Sequence, residues 1–109
     1  MAVLTVQSIA LAGTIPTYAA PAALANEFAN DGRTFLHVKR AGGGTVVVTL
    51  TTPGTIKGVA IADPTVTVGS GSEKMIGPFD PSIFNASDGN VDFACDATTG
   101  VTLAVVRLP

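Results

Sequence analysis

Few side chains in this sequence have the type and spacing that catalysis or metal binding requires. His37 is the only histidine and Cys95 the only cysteine. A catalytic thiol needs a base beside it, and a metal site needs several ligands at matched spacing. His37 has no second histidine and no cysteine close to it in the sequence, which predicts a structural or surface residue. Cys95 lies in an alternating run and excludes an internal disulfide, so we predict a small buried thiol. We expect no catalytic residue.

An acidic segment near the C-terminus is the main candidate for a metal site. Asp80, Asp88, Asp92 and Asp96 fall within seventeen residues, and calcium binds clustered oxygen ligands. The spacing does not match an EF-hand loop, because taking Gly89 as the sixth position would place a phenylalanine first. The alternation of Asp92 and Asp96 with apolar residues instead predicts the solvated face of a strand. We therefore expect no metal and no cofactor.

Two short motifs match functional patterns but have simpler explanations. Residues 85–87 read Asn-Ala-Ser and match the glycosylation sequon, but no secretion signal accompanies them, and we interpret the match as chance. Residues 42–44 are three glycines. They lack the Lys-Ser/Thr pair of a phosphate-binding loop and open no helix, which indicates a turn.

The strongest structural signal surrounds these three glycines. Residues 45–52 are all Val, Thr or Leu, and residues 33–40 alternate between two faces. Such patterns are typical of strands. A glycine turn between them predicts an antiparallel hairpin. From the apolar phases of the alternating strands we expect a core of Leu36, Val38, Val46, Val48, Leu50, Phe93, Leu103 and Val105.

The remaining chain continues this pattern. We predict strands at residues 2–11, 55–61, 65–68, 73–79, 90–97 and 101–108, an extended edge piece at 14–19, and a 3₁₀ turn or tight loop at 80–85. The last two strands are expected to pair as a hairpin. Residues 21–30, PAALANEFAN, are the one place where a helix of one or two turns is expected. About eight short strands separated by Gly and Pro indicate a single all-β domain over residues 1–109, an antiparallel, jelly-roll-like β-sandwich or a barrel.

Composition narrows the function classes. Charged residues make up 13% of the 109 residues and the net charge is −2, which argues against nucleic-acid binding. No apolar run approaches the length of a membrane helix. No Lys or Arg precedes Arg33, so the positive region of a signal peptide is missing. We expect synthesis in a cytoplasm and no membrane association.

Residues 1–26 carry no charge at all. One interpretation is an inner strand followed by an Ala-rich loop. The other is that residues 1–30 include an extended arm that lies on a neighbouring subunit. The predicted contact residues would then be Val3, Leu4, Val6, Ile9, Leu11, Ile15 and Tyr18.

The chain resembles the small all-β auxiliary proteins of tailed-phage heads, known as decoration or cement proteins. The segments that carry the resemblance are AVLTVQSI, GRTFLHVKR, VTVGSGSEKMIGPFDPSIFN and DGNVDFACDATTGVTLAVVRLP. The resemblance implies a non-enzymatic protein on the outer surface of a capsid. It would form a dimer or trimer there and bridge neighbouring major capsid subunits.

Two other functions stay open. Jelly rolls also serve as lectins, although the absence of Trp and the single Tyr18 count against a carbohydrate-binding module. The sequence does not distinguish a decoration protein from another head or tail component of a phage.

Overall fold

The structure is a computed structural model that describes residues 2–21 and 25–108. In these residues the chain forms eleven short strands and one helical turn. The strands are β1 (Ala2–Leu4), β2 (Val6–Ser8), β3 (Asn26–Ala29), β4 (Thr34–Arg40), β5 (Val46–Leu50), β6 (Thr55–Ile56), β7 (Val59–Ala60), β8 (Thr65–Val68), β9 (Glu73–Ile76), β10 (Asn90–Cys95) and β11 (Val101–Arg107), and the turn is α1 (Pro81–Phe84).

Two packed sheets make up the molecule, which confirms the predicted all-β sandwich. Strands account for 46% of the chain and helix for 4%, against averages of roughly 20–25% and 30–35%. The five-stranded sheet has the order β1-β3-β10-β5-β8, and the four-stranded sheet has the order β2-β11-β4-β9. From β3 to β5, and again from β8 to β11, consecutive strands alternate between the sheets, a connectivity compatible with a jelly-roll-like sandwich. β6 and β7 form a separate two-stranded hairpin.

Most pairings are antiparallel, but each sheet has one parallel pair at its edge. β1 runs parallel to β3, and β2 runs parallel to β11. Residues 2–8 run along both edges, because the chain passes from one sheet to the other at Thr5, between β1 and β2. Strands that pair in parallel need a long connection. For β1 and β3, the chain between β2 and β3 provides most of it. The single strand predicted over residues 2–11 is therefore two short strands, β1 and β2, and the second ends at Ser8.

The predicted hairpin over residues 33–52 is wrong. β4 pairs with β11 and β9, whereas β5 pairs with β10 and β8, so the glycine loop crosses from one sheet to the other. β10 and β11, also expected to pair, lie in opposite sheets as well. Two alternating strands joined by a glycine turn can form a hairpin within one sheet or lie in opposite sheets. The sequence pattern is the same for both, because one face of each strand is buried in either case.

A buried arginine joins these two sheet-crossing loops. The Arg40 guanidinium donates hydrogen bonds to the carbonyls of Gly43 (2.7 Å), Gly44 (3.4 Å) and Thr99. The loops also approach through their backbones, since the Ala41 amide donates to the Gly100 carbonyl at 2.7 Å. One cation therefore holds residues 43–44 beside residues 99–100.

Glycine is required where these loops touch. Gly100 has a φ of +73°, and a Cβ there would lie 2.9 Å from the backbone nitrogen of Gly42. A side chain at this position would be strained by its backbone conformation and would collide with the opposite loop.

The core lies between the sheets, and all eight predicted core residues are buried there. The alternation of the strongest strands therefore predicted their inner faces correctly. Three phenylalanines fill the space beside these aliphatic side chains: Phe28 packs with its ring centroid 5.5 Å from that of Phe79 and 5.8 Å from that of Phe93. The Cys95 side chain is also buried, as predicted.

The helix expected at residues 21–30 is wrong over its C-terminal part. Asn26–Ala29 is strand β3, with Asn26 and Phe28 buried. Pairing with both β1 and β10 outweighs the weak helical preference of a short Ala-rich segment. Residues 22–24 lie outside the described residues. Among the described residues α1 is the only helix, and it has four residues, so no described helix could cross a bilayer.

We expect Leu103→Ala to lower the free energy of unfolding by about 2–5 kcal/mol, because Leu103 is 1% exposed and the truncation leaves a cavity. Leu108→Ala is the matched control, since Leu108 is 46% exposed and should lose about 1 kcal/mol or less. Urea denaturation of both variants measures the difference. Equal losses would show that the inner face of β11 is assigned wrongly.

We expect Arg40→Met to destabilise the fold by about 2–3 kcal/mol, because carbonyls in both loops lose a charged donor. Arg107→Met is the control. Arg107 contacts Asp31 at 3.5 Å and Ser8 at 3.0 Å at the surface, and such exposed pairs contribute about 1 kcal/mol or less. Chemical denaturation of the two variants tests this, and an Arg40 variant as stable as the Arg107 variant would contradict the bracing role.

Candidate functional site

Residues 9–19, which we call the N-terminal strap, lie over the outer face of the four-stranded sheet. At its far end the strap is fastened to the β11 edge, where the backbones of Ala19 and Leu103 exchange hydrogen bonds of 2.9 and 2.7 Å. Two residues before Ala19, the backbone of Thr17 is bonded to β2: the Gln7 side-chain amide donates to the Thr17 carbonyl (2.8 Å) and accepts from the Thr17 amide (2.7 Å). The strap is thus held as a loop whose two ends meet at one sheet edge.

The middle of the sheet contributes a third fastening. His37 is on the outer face of β4, and its Nδ1 forms a hydrogen bond of 2.8 Å with the Tyr18 hydroxyl. Its Nε2 lies 3.4 Å from Glu73 Oε1. Because a carboxylate oxygen accepts hydrogen bonds, we assign a proton to Nε2, and Nδ1 of the neutral ring then accepts from the Tyr18 hydroxyl. The imidazole is 7% exposed and both of its nitrogens have partners. This is the structural alternative of the two predicted for His37.

The Tyr18 ring contacts both a cation and the imidazole. Lys39 Nζ lies 4.1 Å from the ring centroid, which is within cation–π range. The Tyr18 and His37 rings meet edge to face at 5.5 Å. Strand alternation predicted His37 and Lys39 on one face, but no local pattern pointed to Tyr18 or Gln7 as their partners across the strap.

Two open clefts flank the fastened strap. One, of about 280 Å³, lies between the strap and the sheet and is lined mainly by Ile9, Pro16, Tyr18, Phe35, His37 and Met75. The other, of about 380 Å³, lies between residues 3–7, the end of the strap and β11. Their walls are largely apolar, and His37 is the one titratable group besides Tyr18 that lines the first cleft.

The seven predicted contact residues divide into two groups. Leu4 and Val6 pack against the core of their own chain, and Ile9 and Tyr18 are half-buried between strap and sheet. In contrast, Ile15 is 92% exposed, Leu11 is completely exposed and Val3 is 68% exposed. The structure thus places three large apolar side chains in solvent, two of them on the strap. Their contact with a neighbouring subunit stays a prediction.

The aspartates of residues 80–96 are dispersed rather than gathered. Asp80 caps α1 by accepting from the Ser82 hydroxyl and amide, and these bonds lower the pKa of Asp80 below its ordinary value of 3.8. Asp88 accepts from the Asn90 amide, and Asp96 accepts from the Val47 amide at 2.8 Å. Among the described residues no group of three or more His, Cys, Asp or Glu could hold a metal ion.

The sequon asparagine is part of a structural network. Asn85 Nδ2 donates to the carbonyls of Asn30 (3.0 Å) and Gly89 (3.2 Å), and Asn85 Oδ1 accepts from Asn30 Nδ2 at 2.8 Å. Because a glycan would replace one of the two hydrogens of Nδ2, modification would remove at least one of these two donated hydrogen bonds.

Cys95 lies in the core, away from the strap. Burial, and to a smaller extent the charge of Asp96, raise the pKa of Cys95 to about 11. The thiol is therefore protonated near neutral pH, and thiolate is the reactive form.

Comparison of the chain with protein-family models, with curated proteins and with solved structures finds no match. The site must therefore be interpreted from its own geometry.

We expect Gln7→Ala to loosen the strap, because two hydrogen bonds to Thr17 are lost. Each is worth roughly 0.5–1.5 kcal/mol, so the Thr17 amide should exchange its hydrogen about tenfold faster or more. Hydrogen–deuterium exchange measures this directly, with the amides of β10 as internal control. Unchanged exchange at Thr17 would show that Gln7 does not hold the strap.

Proposed function

We propose that this protein is a non-enzymatic structural protein of a phage virion, which binds the outer surface of the assembled capsid and bridges major capsid subunits. The observation that carries the proposal is the exposure of Leu11 and Ile15 on a strap that is fastened at several points. The resemblance of the sequence to decoration proteins supports the same role.

The fastening matters because binding through a mobile segment costs ordering entropy, about 1–2 kcal/mol per residue for the backbone alone. The Gln7, Tyr18 and Ala19 hydrogen bonds hold the strap before any partner binds. A preorganised loop retains more of the free energy that burial of its apolar side chains provides. Leu11 and Ile15 thereby suit a shallow apolar site on another protein.

The remaining surface is compatible with a binding role that needs no chemistry. A protein that binds only the assembled lattice stabilises that lattice by mass action. The chemically reactive side chains are engaged elsewhere: His37 holds Tyr18, and the Cys95 thiol is buried in the core.

The carbohydrate-binding alternative has weaker support. Sugar sites commonly use an exposed aromatic ring as a platform. Tyr18, the only tyrosine, has Lys39 over one face and His37 at its edge, so its ring is largely occupied within the chain.

The experiment measures binding of the protein to empty heads assembled from the major capsid protein of the same virus. We expect the double variant Leu11→Ser, Ile15→Ser to bind at least about 100-fold more weakly, because burial of each aliphatic side chain is worth roughly 1.5–3 kcal/mol. Val59→Ser is the matched control, since Val59 is 68% exposed on the β6–β7 hairpin, away from the strap.

Heads saturated with the wild-type protein should also withstand higher temperature than bare heads. Equal binding by the double variant would remove the strap as the contact surface. Heads equally stable with and without bound protein would contradict the stabilising role, and a specific hit on a glycan array would favour the carbohydrate-binding alternative.

A further inference from the structure

The two lateral sides of the sandwich differ in how their strand edges are protected. On one side, β1 and β2 form the outer strands of both sheets and are a single run of chain that wraps around the edge. On the other side, β8 and β9 are the outer strands, joined by residues 69–72. Exposed strand edges are sites where another strand can add.

β9 carries a feature that blocks strand addition. Lys74 lies opposite Val38, whose side chain is in the core, so Lys74 is a charged, exposed residue on the core side of an edge strand. Glu73 adds a second charge on this strand. An inward-pointing charge on an edge strand is a recognised protection against edge-to-edge pairing.

β8 has no such feature. Its sequence is Thr65-Val66-Thr67-Val68, with no charge and no proline within the strand, and it pairs with β5 in regular antiparallel register. Val66 and Val68 face the core side, which leaves Thr65 and Thr67 on the outer face. The edge therefore carries no charge along the strand.

The hydrogen-bonding groups on the open side of β8 follow from the register. The Leu50 amide donates to the Pro64 carbonyl at 3.0 Å. This bond extends by one position the register that places Thr49 opposite Thr65. Because hydrogen-bonded pairs alternate along an antiparallel ladder, Val66 and Val68 direct their backbone groups to β5. Thr65 and Thr67 direct theirs outward, and within residues 2–21 and 25–108 these outward groups have no backbone partner.

We propose that β8 pairs with β8 of a second copy, antiparallel and about a two-fold axis at Val66, so that the two five-stranded sheets form one continuous sheet. This places Thr65 opposite the partner copy's Thr67 and Val66 opposite its own equivalent. Each copy presents two outward N–H and two outward C=O groups, and in this register the two copies form four hydrogen bonds that satisfy all of them.

The side chains agree with this register. Thr faces Thr on the outer face, and Val faces Val on the core side, both of which are favourable cross-strand pairs. If the two-fold axis lay at Thr67 instead, Thr67 would pair with its own equivalent. The outward groups of Thr65 would then lie opposite Gly69 of the other copy, which is beyond the end of β8. A two-fold contact is closed, so the product is a dimer and not a filament. The interface uses neither the strap nor its exposed side chains, so it does not depend on the role proposed above.

The test uses two double variants at the same exposed positions. In Thr65→Lys, Thr67→Lys, each substituted residue faces a like charge across the interface. In Thr65→Lys, Thr67→Glu, each faces an opposite charge. Sedimentation equilibrium over a range of concentrations gives the dimer dissociation constant, and circular dichroism with thermal unfolding establishes that both variants are folded.

We expect a monomer–dimer equilibrium for the wild type, a dissociation constant at least about tenfold higher for the like-charge variant, and a constant close to that of the wild type for the opposite-charge variant. In the wild type, hydrogen exchange of the Thr65 and Thr67 amides should slow as protein concentration rises.

A wild type that stays monomeric at every soluble concentration would overturn the proposal, as would assemblies larger than dimers. A like-charge variant that dimerises as tightly as the wild type would overturn the β8 interface, and an opposite-charge variant as weak as the like-charge one would overturn the register.

Discussion

The structure depends on the bracing of its two sheet-crossing loops by Arg40. A sandwich whose strands alternate between sheets must cross at each end of the core, and the crossing loops contain carbonyls that no strand partner satisfies. Arg40 binds carbonyls from the loop after β4 and from the loop before β11 with a single side chain. A guanidinium suits this position because its donors are held in one plane and its charge strengthens each bond. The two loops can therefore approach closely enough that Gly42 and Gly100 are in backbone contact.

The N-terminal residues close the sandwich and then cover it. Residues 2–8 supply an edge strand to each sheet, and residues 9–19 return across the outer face of the four-stranded sheet to the same edge. This course accounts for part of the missing charge in residues 1–26, since Leu4, Val6 and Ile9 contact apolar surface of their own chain. It does not account for Leu11 and Ile15, which the fold leaves in solvent. Their contact with another subunit is part of the proposed function.

The distribution of edges and exposed side chains gives the molecule two distinct surfaces. One is the strap, with apolar side chains held by a rigid set of hydrogen bonds. The other is the β8 edge, which offers backbone groups and no charge. An apolar loop suits a partner of different sequence, whereas an uncharged edge with alternating Thr and Val is complementary to itself. In the function proposed above the strap would contact the capsid lattice, and the proposed β8 pairing would join two copies of the protein.

The alternation of apolar residues and the positions of Gly and Pro were enough to predict the fold class and the inner faces of the main strands. Alternation with a period of two places Leu36, Val38, Val48 and Leu103 on one side whichever neighbours the strands acquire, and Gly and Pro separate the strands. It did not determine which strands pair. The same glycine turn serves a hairpin or a sheet crossing, and the choice between them came from partners far along the chain, such as Arg40 with Thr99 and β4 with β11. The contacts of Tyr18 with His37 and of Gln7 with Thr17 were likewise decided by the tertiary structure, because they join segments that no local pattern relates. Sequence alternation assigns a residue to a face, but only the packed sheets decide what covers that face.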